Sequence, residues 1–336
     1  MSVQLLSTIS FLYFLVLFGV AVYAVRRRVK GRSLISNPHV YSLSLAVYCT
    51  SWTYYGSVGR AATTGLDFLT IYTGPTLVCF TWWFLLRKII RISKEHNIVS
   101  IADFIASRYG KSTALGALVT IFAVFGIVPY IALQLKAISY SFNLMCSDGE
   151  KPLMSLHNAY QFIPEHLDTA FVVAVLLAVF CILFGAMRLD STERHEGLVA
   201  AVAFESLVKL VAFVAVGIFV CYTLFNGFSD IFNQFLNQFP EQRHLLVLGE
   251  GTSSSAKWFT MTTLSMFAIM LLPRQFHIMV IENSDISHIR TAMWAFPLYM
   301  FLLNLFVLPI ALGGLLHYEG QASLADYFLL TLPLHN

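Results

Sequence analysis

Apolar runs close to twenty residues long, bounded by charge, recur near 5–25, 40–58, 68–90, 113–141, 169–187, 197–223, 258–281 and 290–315. About twenty apolar residues carry a helix across roughly 30 Å of hydrocarbon. Lipid offers backbone groups no hydrogen bonds, so such runs must satisfy them internally as helices. The pattern therefore predicts an all-α, polytopic membrane protein with about eight transmembrane helices. The first run is too long for the apolar core of a signal peptide, and basic residues follow it instead of preceding it, which marks a retained span. The intervals 142–168 and 224–257 read as surface connectors, the second with a short amphipathic helix near 231–239. No linker or composition shift divides the chain, so residues 1–336 read as one membrane domain.

Composition agrees with the pattern: 57% of the residues are hydrophobic and 12% charged, against roughly 25% charged in a soluble domain. The net charge of +3 points to no nucleic-acid partner once the charges are placed, because they lie at membrane edges. Lys and Arg gather after the first span (Arg26, Arg27, Arg28, Lys30, Arg32), after the third (Arg87, Lys88, Arg91, Lys94, Arg108, Lys111), and around Arg188, Arg194, Arg274 and Arg290. The alternate side carries only Arg60, Lys151, Arg243 and Lys257. This positive-inside bias predicts a multi-pass protein of the cell (inner) membrane with its N-terminus outside. The five cysteines are scattered without metal-ligand spacing, so neither a disulfide framework nor a zinc site is expected.

Polar groups at bilayer depth are costly and call for a partner or a role. In the second span, Tyr48, Thr50, Ser51, Trp52, Tyr55 and Gly56 bring hydroxyls, aromatics and glycine to mid-depth. An interrupted helix there could bind a cation or close over an organic solute; close helix contact by small residues is the competing explanation. In the seventh span, Pro273 removes a donor and disfavours helix at Leu272. Gln275 and His277, just beyond it, could meet a solute. Glu205 and Lys209 stand four residues apart in the sixth span, where they can neutralise each other, and Glu205 could carry a proton. In the fourth span, Tyr130 and Gln134 share a face after Pro129 and are candidate site residues.

Enzyme chemistry has no comparable signal. His195-Glu196 is not followed by a second histidine at metalloprotease spacing, and the segment 190–196 reads as a solvated cytoplasmic loop. The chain has no phosphate-binding or dinucleotide-binding glycine loop and no nucleophile elbow, and no cofactor is expected.

Ser51-Trp52 with Gly56, the stretch Ser100-Ile101-Ala102-Asp103-Phe104-Ile105-Ala106-Ser107-Arg108-Tyr109-Gly110, and Gln275-Phe276-His277-Ile278 resemble landmarks of the sodium:solute symporter family. Within it, Arg194-His195-Glu196-Gly197, Phe204 to Lys209 and Leu272 to His277 look most like the transporter-like front end of CbrA-type sensor histidine kinases. The resemblance implies a LeuT-type fold: an extra first helix, one complete five-helix inverted repeat and part of the second. It implies an amino-acid solute, with histidine favoured, coupled to sodium or protons. Spans two and seven would be its interrupted helices. Tyr48 falls where the family has a cation-linked aspartate, and Glu193 falls near a second acidic position, which puts sodium coupling in question. The remaining helices of the second repeat, with the Ser/Thr pair that completes the cation site, are expected beyond residue 336, so the domain would be incomplete at its C-terminus. The alternative reading is the sensory input of a two-component histidine kinase whose missing domains would address a response regulator. No metal beyond the coupling ion is assigned.

Overall fold

The computed structural model describes residues 2–146, 169–183, 195–248 and 255–334. Among these, the chain forms helices and no strands. Four helices among the described residues are continuous and apolar enough to cross a membrane: α1 (Val3–Val29), α7 (Thr113–Cys146), α9 (Glu196–Phe219, with a π-helical extension to Leu224) and α13 (His288–His317). A fifth candidate is a bent pair: α11 (Ser255–Leu271), then α12 (Pro273–Phe276) with a π-helical turn His277–Ile281, inclined by 52° at the break. Leu272, between them, is extended at ψ 125°. The proline thus breaks the helix where the sequence predicts it.

The other runs are shorter or interrupted. The run 40–58 is divided into α2 (Pro38–Ser44), a 3-10 turn Leu45–Tyr48 and α3 (Ser51–Thr64). The run 68–90, expected as one helix, is α4 (Thr70–Cys79) and α5 (Leu85–Glu95), joined by a turn at 80–84. In that turn Trp82 is fully buried and stacks on Phe296 with ring centroids 5.7 Å apart. Trp83 carries the guanidinium groups of both Arg87 and Arg290, 4.7 and 4.8 Å from its ring. Satisfying these aromatics outweighs helix continuity. A short helix α6 (Ile101–Ser107), capped by Ser100, precedes α7, and α8 (Thr169–Cys181) follows it. α10 (Phe228–Gln238) occupies the region read as amphipathic. A 3-10 turn Ala322–Tyr327 leads into α14 (Phe328–Leu334).

Helix α13 is the axis of the bundle. Its Phe296, Leu303, Val307, Ile310 and Ala311 are essentially inaccessible, and it packs against α2, α3, α9 and α10. Apolar lipid supplies little hydrophobic drive between helices, so close approach of small residues takes its place. α1 meets α9 at Ala21 and Ala24, both 0% exposed, where a Cβ on Gly197 would come 3.0 Å from the Ala21 carbonyl. α4 meets α11 at Gly74, where a Cβ would lie 2.0 Å from Ser265 Oγ. Ser265 Oγ in turn donates to the Thr70 carbonyl at 2.7 Å.

The start of α9 corrects the reading of 190–196 as a solvated loop at its last residue, Glu196. Glu196 is 3% exposed and accepts from Ser33 Oγ, from the Leu34 amide at 2.7 Å and from the Ile35 amide at 3.4 Å. Arg28 Nε lies 3.6 Å from its other oxygen. The carboxylate satisfies the backbone of the connector after α1, which otherwise would bury bare amides. Residues 190–194, and with them Glu193, lie outside the described residues.

Candidate functional site

The break in the second run sits at Cys49 and Thr50. Both leave helical geometry, Cys49 at ψ 101° and Thr50 at ψ −175°. A helix restarted at Ser51 exposes amide donors in its first turn. Thr53 Oγ1 accepts the Thr50 amide at 3.2 Å. Gln134 of α7 supplies a further acceptor from across the bundle, its Oε1 accepting from Ser51 Oγ and from the Trp52 amide at 3.2 Å. One turn away, Tyr130 donates its hydroxyl to Thr50 Oγ1 at 2.7 Å.

The two helix breaks are joined through the same residues. Arg274, directly after Pro273, holds its guanidinium 4.5 Å from the Tyr130 ring centroid. Gln275, fully buried, donates from Nε2 to the Leu45 carbonyl at 3.1 Å, in the turn before the first break. Two polar atoms remain buried and unpartnered here, Gln134 Nε2 and Gln275 Oε1. They are one donor and one acceptor, each able to take a further hydrogen bond.

On the α3 side of the break lies a cavity of about 370 Å³, lined by Trp52, Tyr55, Gly56, Lys136, Tyr140, Asp326 and Tyr327 among others. That volume falls in the range of small-molecule sites, roughly 300–1,000 Å³. Gly56 shapes its wall: a Cβ there would sit 2.4 Å from the Trp52 indole nitrogen, so only glycine lets Trp52 lie back along its own helix. Lys136 Nζ lies 5.4 Å from the Tyr140 ring centroid. A second, smaller cavity of about 280 Å³ lies at the other break, between Tyr130, Pro273, Arg274 and the apolar face of α7.

Of the residues singled out in the sequence, Thr50, Ser51, Trp52, Tyr130 and Gln134 are brought into one hydrogen-bonded group. Tyr55 and Gly56 line the cavity beside it, and Gln275 touches the same turn. Tyr48 turns away and donates to the Ile71 carbonyl at 3.1 Å. Glu205 pairs with Lys209 at 2.5 Å, both partly exposed. His277 does not join the group; its Nε2 lies 3.1 Å from Glu282 Oε1. Lys136, Asp326, Tyr140 and Tyr327 were not among the site candidates, Lys136 being read as a side chain that reaches from the outer end of its span to the membrane surface. The last two and Asp326 carry no periodic or motif signal, and only the fold of 322–334 over α3 brings Asp326 and Tyr327 there.

Just beyond the bent span, Glu282 is 1% exposed. It receives the His195 amide at 3.1 and 3.2 Å, His195 Nδ1 at 2.9 Å and His277 Nε2 at 3.1 Å. Burial alone would raise its pKa, but these hydrogen bonds outweigh burial and hold the carboxyl below its ordinary value of 4.5. A carboxyl with a lowered folded pKa stabilises the fold above its ordinary value, and that contribution fades as the pH falls through the folded value. The wild type is therefore expected to exceed Glu282→Gln in thermal midpoint above pH 4.5, with the gap closing on further acidification. Thermal unfolding in detergent across pH checks this, and a gap independent of pH would contradict it.

The sodium:solute symporter family model matches residues 29–144, a stretch that contains the break at Cys49–Thr50 together with Tyr130 and Gln134. Over 298 residues the chain is 25% identical to the uncharacterized symporter YhjB of Bacillus subtilis (strain 168), covering 88% of this chain and 55% of that protein. Over 89 residues it is 33% identical to the uncharacterized symporter YodF of the same organism, covering 26% of this chain and 18% of that protein. The chain thus spans about half the length of the first of these relatives. The family-model match covers the first helix break, and most of the chain's length is similar to an uncharacterized symporter, so what the chain resembles throughout is a sodium:solute symporter.

Proposed function

We propose that this chain is the solute-binding part of a membrane secondary transporter, taking up an amino acid together with sodium or a proton. The observation that carries the reading is the meeting of two broken helices at one polar centre. Half-helix ends facing a common site are the means by which transporters hold charged solutes and ions without paired side chains. Here the centre retains an unpartnered amide donor on Gln134 and an unpartnered acceptor on Gln275. Beside it, Lys136 and Asp326 offer opposite charges in a cavity walled by Trp52, Tyr55, Tyr140 and Tyr327. That set matches a zwitterion: carboxylate to Lys136, ammonium to Asp326 and the aromatic faces, side chain against the remaining rings. Histidine fits as the solute, since its imidazole both stacks and hydrogen-bonds. Sodium is the coupling ion that the family match favours. Thr50 provides a hydroxyl in place of an acidic cation ligand in the second span.

In this reading Trp52 and Tyr55 close over the solute while Gln134 and Gln275 hold the two breaks in register. Trp52→Ala and Gln275→Ala are expected to weaken amino-acid binding by about tenfold each, or about 1.4 kcal/mol, with normal membrane insertion. Scintillation-proximity binding of radiolabelled histidine measures this, and unchanged affinity in both variants would reject the placement. The same site would serve a sensory role, in which occupancy is read out by a kinase and little solute crosses. Binding without uptake in proteoliposomes would favour sensing.

A further inference from the structure

A second polar cluster lies apart from this centre, on the side that the Arg and Lys distribution assigns to the cytoplasm. His195 is the residue before α9, while His277 opens the π-helical turn after the bend and Glu282 follows it. His195 Nδ1, His277 Nε2 and a Glu282 oxygen all lie within 4.8 Å of one another, and the two imidazole centroids are 5.6 Å apart. We propose that these three side chains form a binding site for a first-row divalent cation, Zn²⁺ in preference, that pins the start of α9 to the segment following the bent helix. This proposal is independent of the transport reading.

Four features support it. The donor set, two imidazoles and one carboxylate, suits zinc, which with three protein ligands leaves a position for water. Tetrahedral ligation at about 2.0–2.2 Å places ligand atoms about 3.3 Å apart, so the observed separations of 2.9 and 3.1 Å to Glu282 need shifts of only tenths of an ångström. The carboxylate is already oriented, because the His195 amide donates to both of its oxygens, and such fixing of a ligand is what a metal site requires. Finally, Glu282 is a buried anion whose ion-pair partners among the described residues are two histidines, charged only if protonated. Burying an ionised carboxylate without firm compensation is costly, and a divalent cation would supply it. Access is open, since the side chains of His195 and His277 are 27% and 35% exposed.

The test is titration of the purified 336-residue chain in detergent with Zn²⁺ by calorimetry, and with Co²⁺ by visible absorption. One tight equivalent with a tetrahedral cobalt spectrum is expected, weakened about 100-fold or more in His195→Ala and His277→Ala. His277→Gln keeps a hydrogen-bond donor for Glu282 but lacks the imidazole ligand. It is expected to preserve the metal-free thermal midpoint while losing the midpoint rise that zinc confers on the wild type. Absence of tight binding, or binding unchanged in all three variants and so held elsewhere, would overturn the site.

Discussion

Glu196→Ala is expected to cost the protein about 3–5 kcal/mol. The substitution removes one partner of a buried, hydrogen-bonded charge group, a change that typically costs this much because the other members stay buried and unpaired. Here those members are specific: the Leu34 and Ile35 amides and the Ser33 hydroxyl. An amide stranded without water loses its hydration and gains nothing in return. Glu196→Gln separates charge from hydrogen bonding: its carbonyl oxygen can still accept from the amides, so it should lose less than the alanine variant. Thermal unfolding in detergent measures both. Equal stability of Glu196→Ala and wild type would show that the connector after α1 is not held by this carboxylate.

Gln134→Leu is expected to reduce amino-acid binding about 30-fold, with little change in the amount of protein in the membrane. Leucine fills a similar volume, so packing of α7 survives. The Ser51 hydroxyl and the Trp52 amide, however, both lose the oxygen that organises the restarted helix. An unsatisfied buried donor costs about 1–3 kcal/mol, and about 2 kcal/mol of that, charged against the binding-competent geometry, is the 30-fold. Gln134→Glu retains the acceptor oxygens but removes the amide donor of Nε2. It is expected to keep the break intact yet repel a solute carboxylate. Calorimetric or radioligand affinity distinguishes the two variants, and full affinity in Gln134→Leu would mean that the break needs no support from α7.

The membrane class and the proline break at Leu272 were legible in the sequence because each is a local property: a run length, a missing backbone donor. The polar residues of the second run were legible as costly, and their positions alone sufficed to nominate Thr50, Ser51 and Trp52. Their partners were harder to read. Gln134 and Tyr130 could be placed on one helix face, but nothing local says that this face meets residues some eighty positions earlier. The same holds for His195 with Glu282, 87 residues apart, and for Glu196 with Leu34, 162 apart. A loop composition of Asp, Ser, Thr, Glu and Arg made 190–196 look solvated, whereas the connector after α1 needed an acceptor and took Glu196. The turn at 80–84 was invisible for a related reason, since Trp82 leaves the helix path to reach Phe296, more than two hundred residues away.

The central claim is that the break at Cys49–Thr50 is a solute site. Its most direct test is thiol protection at Ser51→Cys, in a chain whose half-buried Cys146 and exposed Cys181 are replaced by serine. The cysteine in proteoliposomes should react with a small thiol reagent, and histidine or another amino acid should slow that reaction in a saturable manner. The protection should disappear when Trp52→Ala is added. A labelling rate that no amino acid alters, measured on protein that reacts readily, would contradict the account.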